Sequence, residues 1–172
     1  MNTPRSQPRS HAYVALGSNL DNPVDQVCKA MAALSRLPRT RVDGCSSLYR
    51  TAPVGPIRQP DFINAVCRLV TTLSPETLMQ HLLAIEAQHG RVRAGQKWGP
   101  RTLDLDLLLY DQLALNTPSL VLPHPRLHER AFVLYPLAEL DQGLVIPGRG
   151  PVSELVHSCA DQRLEKLDRQ CG

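Results

Sequence analysis

Aromatic residues are scarce in this chain: two Phe, one Trp and four Tyr make up 4% of its 172 residues. The formal charge is only +3, too diffuse for a dedicated nucleic-acid surface, and the run DFINAVCRLV lacks the alternating aromatics on which bases would stack. Lysine is also rare, so that Arg supplies nearly all of the 19 basic residues. Planar guanidiniums suit bidentate pairing with phosphate or carboxylate, although a GC-rich genome would give the same bias. No apolar run approaches the length of a membrane span. No apolar segment of signal-peptide length follows the polar MNTPRSQPRS, and residues 1–10 read as a disordered lead-in to a single domain over 11–172. The five cysteines form no CxxC pair, are odd in number and fall at unrelated spacings. They read as reduced thiols in a cytoplasmic protein rather than as a disulfide frame or a zinc site. Internal repeats and low-complexity tracts are lacking, and 42% apolar against 20% charged residues suits one globular core.

Hydrophobic periodicity supplies the outline. Ala12 to Leu16 is a short apolar run ending at the turn signal Gly17-Ser18-Asn19, which predicts a buried strand. Asn22 is placed to cap a helix with Pro23 at its first position. Val24, Val27, Cys28, Met31 and Leu34 then recur at helical spacing until Pro38. Arg41 to Arg50 reads as a strand that runs into the proline-rich loop TAPVGPIRQP, and Asp61 to Thr72 as a strand antiparallel to it. Ser74-Pro75-Glu76 opens a second helix, with Leu78, Leu82 and Ile85 as its stripe and Gly90 as its stop. A further strand lies within KWGPRTLDLDLLLY. The order is that of a ferredoxin-like βαββαβ core, an α+β fold with helices packed on an antiparallel sheet. Residues 112–172 form a C-terminal extension with an apolar run at Ala131 to Leu140 and a helix expected near Val152 to Leu167.

The chemistry concentrates in that last strand. Residues two apart on a strand share a face, so Asp104 and Asp106 start from Cα atoms about 6.6 Å apart, while Leu103, Leu105, Leu107 and Leu109 take the other face. Paired carboxylates repel unless a cation separates them, and Mg²⁺ takes such oxygen ligands, completed by water and phosphate. An amphipathic strand with its polar face in water is the plainer alternative. The neighbourhood favours the metal, because Arg91, Arg93, Lys97 and Arg101 precede the pair with no acid among them. Cations beside a magnesium site suit a polyphosphate, where positioning and charge stabilisation carry most of the catalysis. Glu86, one turn earlier, could ligate, orient an arginine or cap a helix face. Trp98, on a glycine-flanked loop, either anchors the loop or stacks on a flat ring. Phe62 and Asn64 share a strand face and could read the plane and the edge of a heterocycle, or else sit in the core. His124 and Arg130, taken alone, read as surface residues.

Taken together, VALGSNL, LYRTAPVGP, QPDFINAV, GRVR, WGPRTLDLDLLLY and LPHPRLHERAFVLYPL closely resemble the 6-hydroxymethyl-7,8-dihydropterin pyrophosphokinases of folate biosynthesis. The resemblance covers residues 12 to about 168. It implies a monomeric enzyme that transfers the β,γ-diphosphate of ATP to the pterin hydroxymethyl group with two Mg²⁺ ions. It further implies that Asp104 and Asp106 hold both metals, with Asp104 also facing the substrate hydroxyl, and that Arg91 and Arg101 bind phosphates during transfer. Phe62, Asn64, Trp98 and Phe132, with backbone groups of Thr51, Ala52 and Val54, would form the pterin pocket. Glu86, Arg93, Leu107, His124 and Arg130 would line the ATP side. The loops at 50–60 and 91–100 would close over the substrates and exclude water. Leu83, Ala94, Ser119 and Pro125 depart from longer or more polar residues of well-known members, which bears on individual ATP contacts rather than on the reaction. A metal-dependent phosphodiesterase and an RNA-binding ferredoxin-like domain are the rival readings.

Overall fold

A computed structural model describes residues 8–90 and 102–171. Along the chain run β1 (Ser10–Ser18), α1 (Pro23–Ser35), β2 (Thr40–Cys45), β3 (Tyr49–Thr51), β4 (Phe62–Thr71), α2 (Pro75–Gln88) and β5 (Asp104–Tyr110). The extension adds β6 (Leu115–Asn116), β7 (Val121–Leu122), α3 (Ala131–Leu140), β8 (Val145–Ile146), β9 (Gly150–Pro151), α4 (Val152–Leu155) and β10 (Leu164–Lys166), with single 3-10 turns at Leu127–Glu129 and Val156–Cys159. The main sheet has six strands in the order β10-β3-β4-β1-β5, with β2 also on β4, and every pairing is antiparallel. Removing the additions leaves the ferredoxin-like arrangement. β1 begins at Ser10, inside the stretch expected to be a disordered lead-in.

Each face of the sheet carries its own core. On one, Val14 and Leu16 of β1, Ala65 and Leu69 of β4 and Leu105 and Leu107 of β5 pack against Val27 and Leu34 of α1 and Leu78 and Leu82 of α2. On the other, Tyr13, Val66 and Leu108 pack beneath Val133, Leu134 and Leu137 of α3. Strands covered on both faces must be nearly continuously apolar, which is why β4 reads FINAVCRLVT.

Several expectations need correction. The strand expected over 41–50 divides in two, because the Val66 N–H donates to the Ser46 hydroxyl at 2.9 Å instead of to a ladder carbonyl. A register shift of β1 against β5 between Tyr13 and Val14 sends Leu109 to the α3 side with Leu108, while Leu103, Leu105 and Leu107 face α1 and α2. Asn22 does precede α1, but it adopts a left-handed conformation and its side chain makes no capping bond; Ser74, in contrast, accepts from Thr77 N as its position predicts. The helix expected over 152–167 is one turn of α-helix and one of 3-10. The Ser158 hydroxyl bonds back to Leu155 O at 2.7 Å, and the chain is then drawn into β10 beside β3.

The cysteines also depart from the expectation of reduced thiols. Cys28–Cys171 and Cys45–Cys67 are disulfide-bonded, and Cys159 is the free one, buried. Spacing could not reveal either bridge, since Cys45 and Cys67 meet as register partners of β2 and β4 and Cys171 reaches α1 only after the whole chain has folded back. With four of the five cysteines in bridges, the thiols give no support to a reducing compartment. Among the described residues, no helix is long and apolar enough to cross a membrane.

Candidate active site

The candidate site lies on the α3 face of the sheet, at the strand ends beyond the residues Tyr13, Val66 and Leu108 that pack beneath α3. Register brings its parts into line: Tyr49 pairs with Asn64, Asn64 with Gly17, and Gly17 with Asp104. One row thus crosses β3, β4, β1 and β5. Neighbouring strands lie about 4.8 Å apart, so the Cα atoms of Asn64 and Asp104 stand roughly 10 Å apart across a residue without a side chain, over which the Asn64 amide leans. Gly17 was read from sequence only as part of a turn. Its neighbour across β4 could have flagged it, but pairing is not visible in one dimension.

Asn64 is buried and donates from Nδ2 to Thr51 Oγ1 at 2.7 Å. A Cβ on Gly17 would stand 2.7 Å from Asn64 Oδ1, closer than the two atoms tolerate. Gly17→Ala should therefore displace the amide and weaken binding of a pterin analogue about fivefold, measured by titration alongside the wild type. Unchanged affinity would show that this amide does not face the ligand.

A cleft of about 330 Å³ opens next to the row, lined by the expected Thr51, Ala52, Val54, Arg130 and Phe132 and also by Arg126. The Arg130 guanidinium sits 5.4 Å from the centre of the Phe132 ring, a cation over a π face. Phe62 is the register partner of Thr51, which lines the cleft. Asn19, buried, donates to Gln59 Oε1 and Pro60 O, both at 2.9 Å, which fixes the end of the 50–60 loop.

Asp104 and Asp106 are both partly exposed on β5 while the leucines flanking them are buried. Between them the Leu105 N–H donates to Glu86 Oε2 at 2.8 Å. Glu86 is itself buried, 2% exposed, so the carboxylate reaches from α2 to the backbone of an edge strand. Leu107 turns its side chain into the α1–α2 core, and only its backbone remains to serve a ligand. His124 is held by its N–H to Leu108 O at 2.9 Å, and its Nδ1 accepts from Arg126 N at 3.2 Å. That bond places the proton of a neutral ring on Nε2, free to be donated outward. Burial, reinforced by Arg130 and Arg126 and opposed by Asp104, pushes the ring down to about 4. The unfolded chain binds this proton near pH 6.5 and the folded one only near 4, so stability is full above 6.5 and declines as pH falls through that window. In metal-free buffer, His124→Asn should flatten the fall of Tm between pH 6.5 and 4; an unchanged slope would mean another group is responsible.

Arg91, Arg93, Trp98 and Arg101 lie outside the described residues, as do Ala94 and Lys97. Among the described residues no three His, Cys, Asp or Glu cluster as a self-sufficient metal cage. Two carboxylates on one strand face instead suit Mg²⁺, which keeps several water or phosphate oxygens and needs few from protein.

Fold and site define a ferredoxin-like α+β domain with an acidic pair beside a partly aromatic cleft. The chain belongs to the 7,8-dihydro-6-hydroxymethylpterin-pyrophosphokinase family, whose sequence profile matches residues 13–142. It is 45% identical over 157 residues to the 2-amino-4-hydroxy-6-hydroxymethyldihydropteridine pyrophosphokinase of Haemophilus influenzae, covering 91% of this chain and 98% of that protein. It is 48% identical over 155 residues to the one of Pseudomonas aeruginosa, covering 90% and 95%. Among solved structures, a Plasmodium falciparum HPPK-DHPS triple mutant superposes with a TM-score of 0.71 at 12% identity, over 89% of this chain and 44% of that one, a likeness of fold.

Proposed function

We propose that the protein carries out its family's reaction: the hydroxymethyl oxygen of 6-hydroxymethyl-7,8-dihydropterin attacks the β-phosphorus of ATP. The bond from that phosphorus to the oxygen bridging it to the α-phosphate breaks, and AMP leaves. The observation that carries this reading is the row Asn64, Gly17, Asp104, which sets an amide, a residue without a side chain and a carboxylate in line across the sheet. On it a pterin would lie with its polar edge toward Asn64 and Thr51, its ring between Phe62, Phe132 and Trp98, and its hydroxymethyl group toward Asp104. Ala52 and Val54 would close the pocket through their backbone.

Asp104 and Asp106 would hold two Mg²⁺ ions, which when bound neutralise the triphosphate and acidify the substrate hydroxyl. Arg91 and Arg101 would take the charge that develops on the transferred phosphates. Arg93, Arg130, the Nε2–H of His124 and the Leu107 backbone would bind ATP, and Glu86 would hold β5 in place beneath them. The 50–60 and 91–100 loops would cover the reacting groups, since hydrolysis of ATP competes with transfer. We take the protein as a single-domain monomer that acts on small molecules and binds neither nucleic acid nor membrane. A cytoplasmic location rests on its substrates rather than on its cysteines. The RNA-binding alternative is disfavoured because Tyr13 and Val66, on the sheet face that would present bases, are buried beneath α3.

Incubation with ATP, Mg²⁺ and hydroxymethyldihydropterin should give AMP and a diphosphorylated pterin in equal amounts. Formation of ADP, or AMP without a pterin product, would overturn the assignment.

A further inference from the structure

Three consecutive residues of the C-terminal extension each fasten a different wall of the cleft. Gln162 donates from Nε2 to Glu129 O at 2.8 Å and accepts at Oε1 from Ala131 N at 3.0 Å. Ala131 is the first residue of α3, and Arg130 at its N-cap makes no side-chain capping bond. The amide of Gln162 therefore supplies the cap that the local sequence lacks, and so fixes the turn carrying Arg130 and Phe132. Arg163 grips Asp61 through Nη2, at 2.9 Å to Oδ1 and 2.8 Å to Oδ2. Asp61 is the residue before Phe62, at the exit of the 50–60 loop. Leu164 then pairs with Thr51 across the β10–β3 ladder.

We propose that Gln162 and Arg163 are positioning residues for the pterin side of the site: they hold Phe132 and Phe62 at a fixed separation while β10 holds Thr51. The inference rests on the pterin reading of this cleft and extends it to residues that belong to no catalytic motif of the sequence. A flat ring gripped between two walls loses affinity when either wall relaxes, because ordering the wall must then be supplied by binding. On the ATP side only Arg130, which the two Gln162 bonds bracket, shares these contacts; β5 and His124 have no part in them.

Gln162 and Arg163 both border the cleft, so a direct contact with the ligand must be told apart from action through the Glu129–Ala131 turn and through Asp61. Gln162→Glu, which keeps an acceptor for the Ala131 N–H, should retain most of the affinity if Gln162 acts through that turn. The measurement is binding of a pterin analogue in the presence of a non-hydrolysable ATP analogue and Mg²⁺, with KM for each substrate and Tm followed in parallel. Arg163→Gln and Asp61→Asn should each weaken pterin binding about fivefold, and the double variant should be no worse than either single one. The pair is largely exposed, with side-chain exposures of 72% and 32%, which keeps the effect modest. Gln162→Leu should weaken it about tenfold, since it leaves the Ala131 N–H without its partner. In Arg163→Gln, KM for ATP and Tm should hardly move, and Arg163→Lys should restore most of the loss. Gln162→Leu should also lower Tm by about 2–6 °C, because the buried Ala131 N–H loses its acceptor, and should raise KM for ATP less than KM for the pterin, since Arg130 shares the turn. Unchanged pterin affinity in Arg163→Gln and Gln162→Leu would overturn the proposal. Losses that multiply in the double variant would overturn the action through Asp61, and an equal loss for ATP in Arg163→Gln would overturn the assignment to the pterin side. Failure of the wild type to make any diphosphorylated pterin would sink the functional reading itself, a separate outcome visible before any variant is made.

Discussion

Asp104→Ala and Asp106→Ala should each lower turnover about a thousandfold or more, equivalent to about 4 kcal/mol of barrier, with the fold intact. Both carboxylates occupy one face of a strand whose other face is locked into the α1–α2 core, so removing either leaves the backbone in place and takes away charge alone. The two variants should nevertheless differ. Asp104 pairs with Gly17 and so stands in the row of Asn64, whereas Asp106 pairs with Ala15, whose partner on β4 is Val66. Loss of Asp104 should therefore also raise KM for the pterin. Loss of Asp106 should weaken nucleotide and Mg²⁺ and leave binding of the pterin analogue nearly unchanged. Steady-state kinetics at saturating Mg²⁺ decides this: near-normal turnover in either variant would remove the acidic pair from the mechanism, and identical KM profiles would remove the row as the pterin floor.

What the sequence made legible was whatever repeats with a local period. The helices α1 and α2 declare themselves through Val27, Leu34, Leu78, Leu82 and Ile85, which are all buried, and β4 through an unbroken apolar run. Asp104 and Asp106 were visible because alternation on one strand is a local fact. What stayed hidden depends on partners far along the chain. β10 is three residues long, and its existence follows from the edge of β3, not from its own composition. The bulge that reassigns Leu109 is a property of β1 and β5 together, and the value of Gly17 lies in Asn64, on another strand. The cap of α3 was invisible for the same reason, since the helix begins with no capping residue and borrows one from Gln162. The candidate site is thus half motif, half topology: its acidic pair could be read from spacing, while Arg130 and His124 gain a place only beside partners far along the chain, and the row and the fastening of the cleft arise from register.

Glu86→Ala should destabilise the protein by about 2–4 kcal/mol and reduce Mg²⁺ binding even without nucleotide. β5 is the edge of the main sheet, where an unpaired N–H between two carboxylates would be free to rotate the strand and carry Asp104 and Asp106 with it. The buried oxygen of Glu86 on Leu105 N prevents that, and a charge-assisted bond of this kind is stronger than a neutral one. The resemblance alone puts Glu86 on the ATP side. On that view Glu86→Ala would raise KM for ATP and leave Tm where it was. If it instead anchors β5, Tm should fall in the ligand-free protein, and Glu86→Gln, which keeps an acceptor of the same reach, should recover most of the stability. Thermal melts of the three proteins with and without Mg²⁺ separate the two roles: an unchanged melt for the alanine variant would leave Glu86 a nucleotide contact only. A lowered melt rescued by glutamine would make it the support on which the metal-binding pair depends.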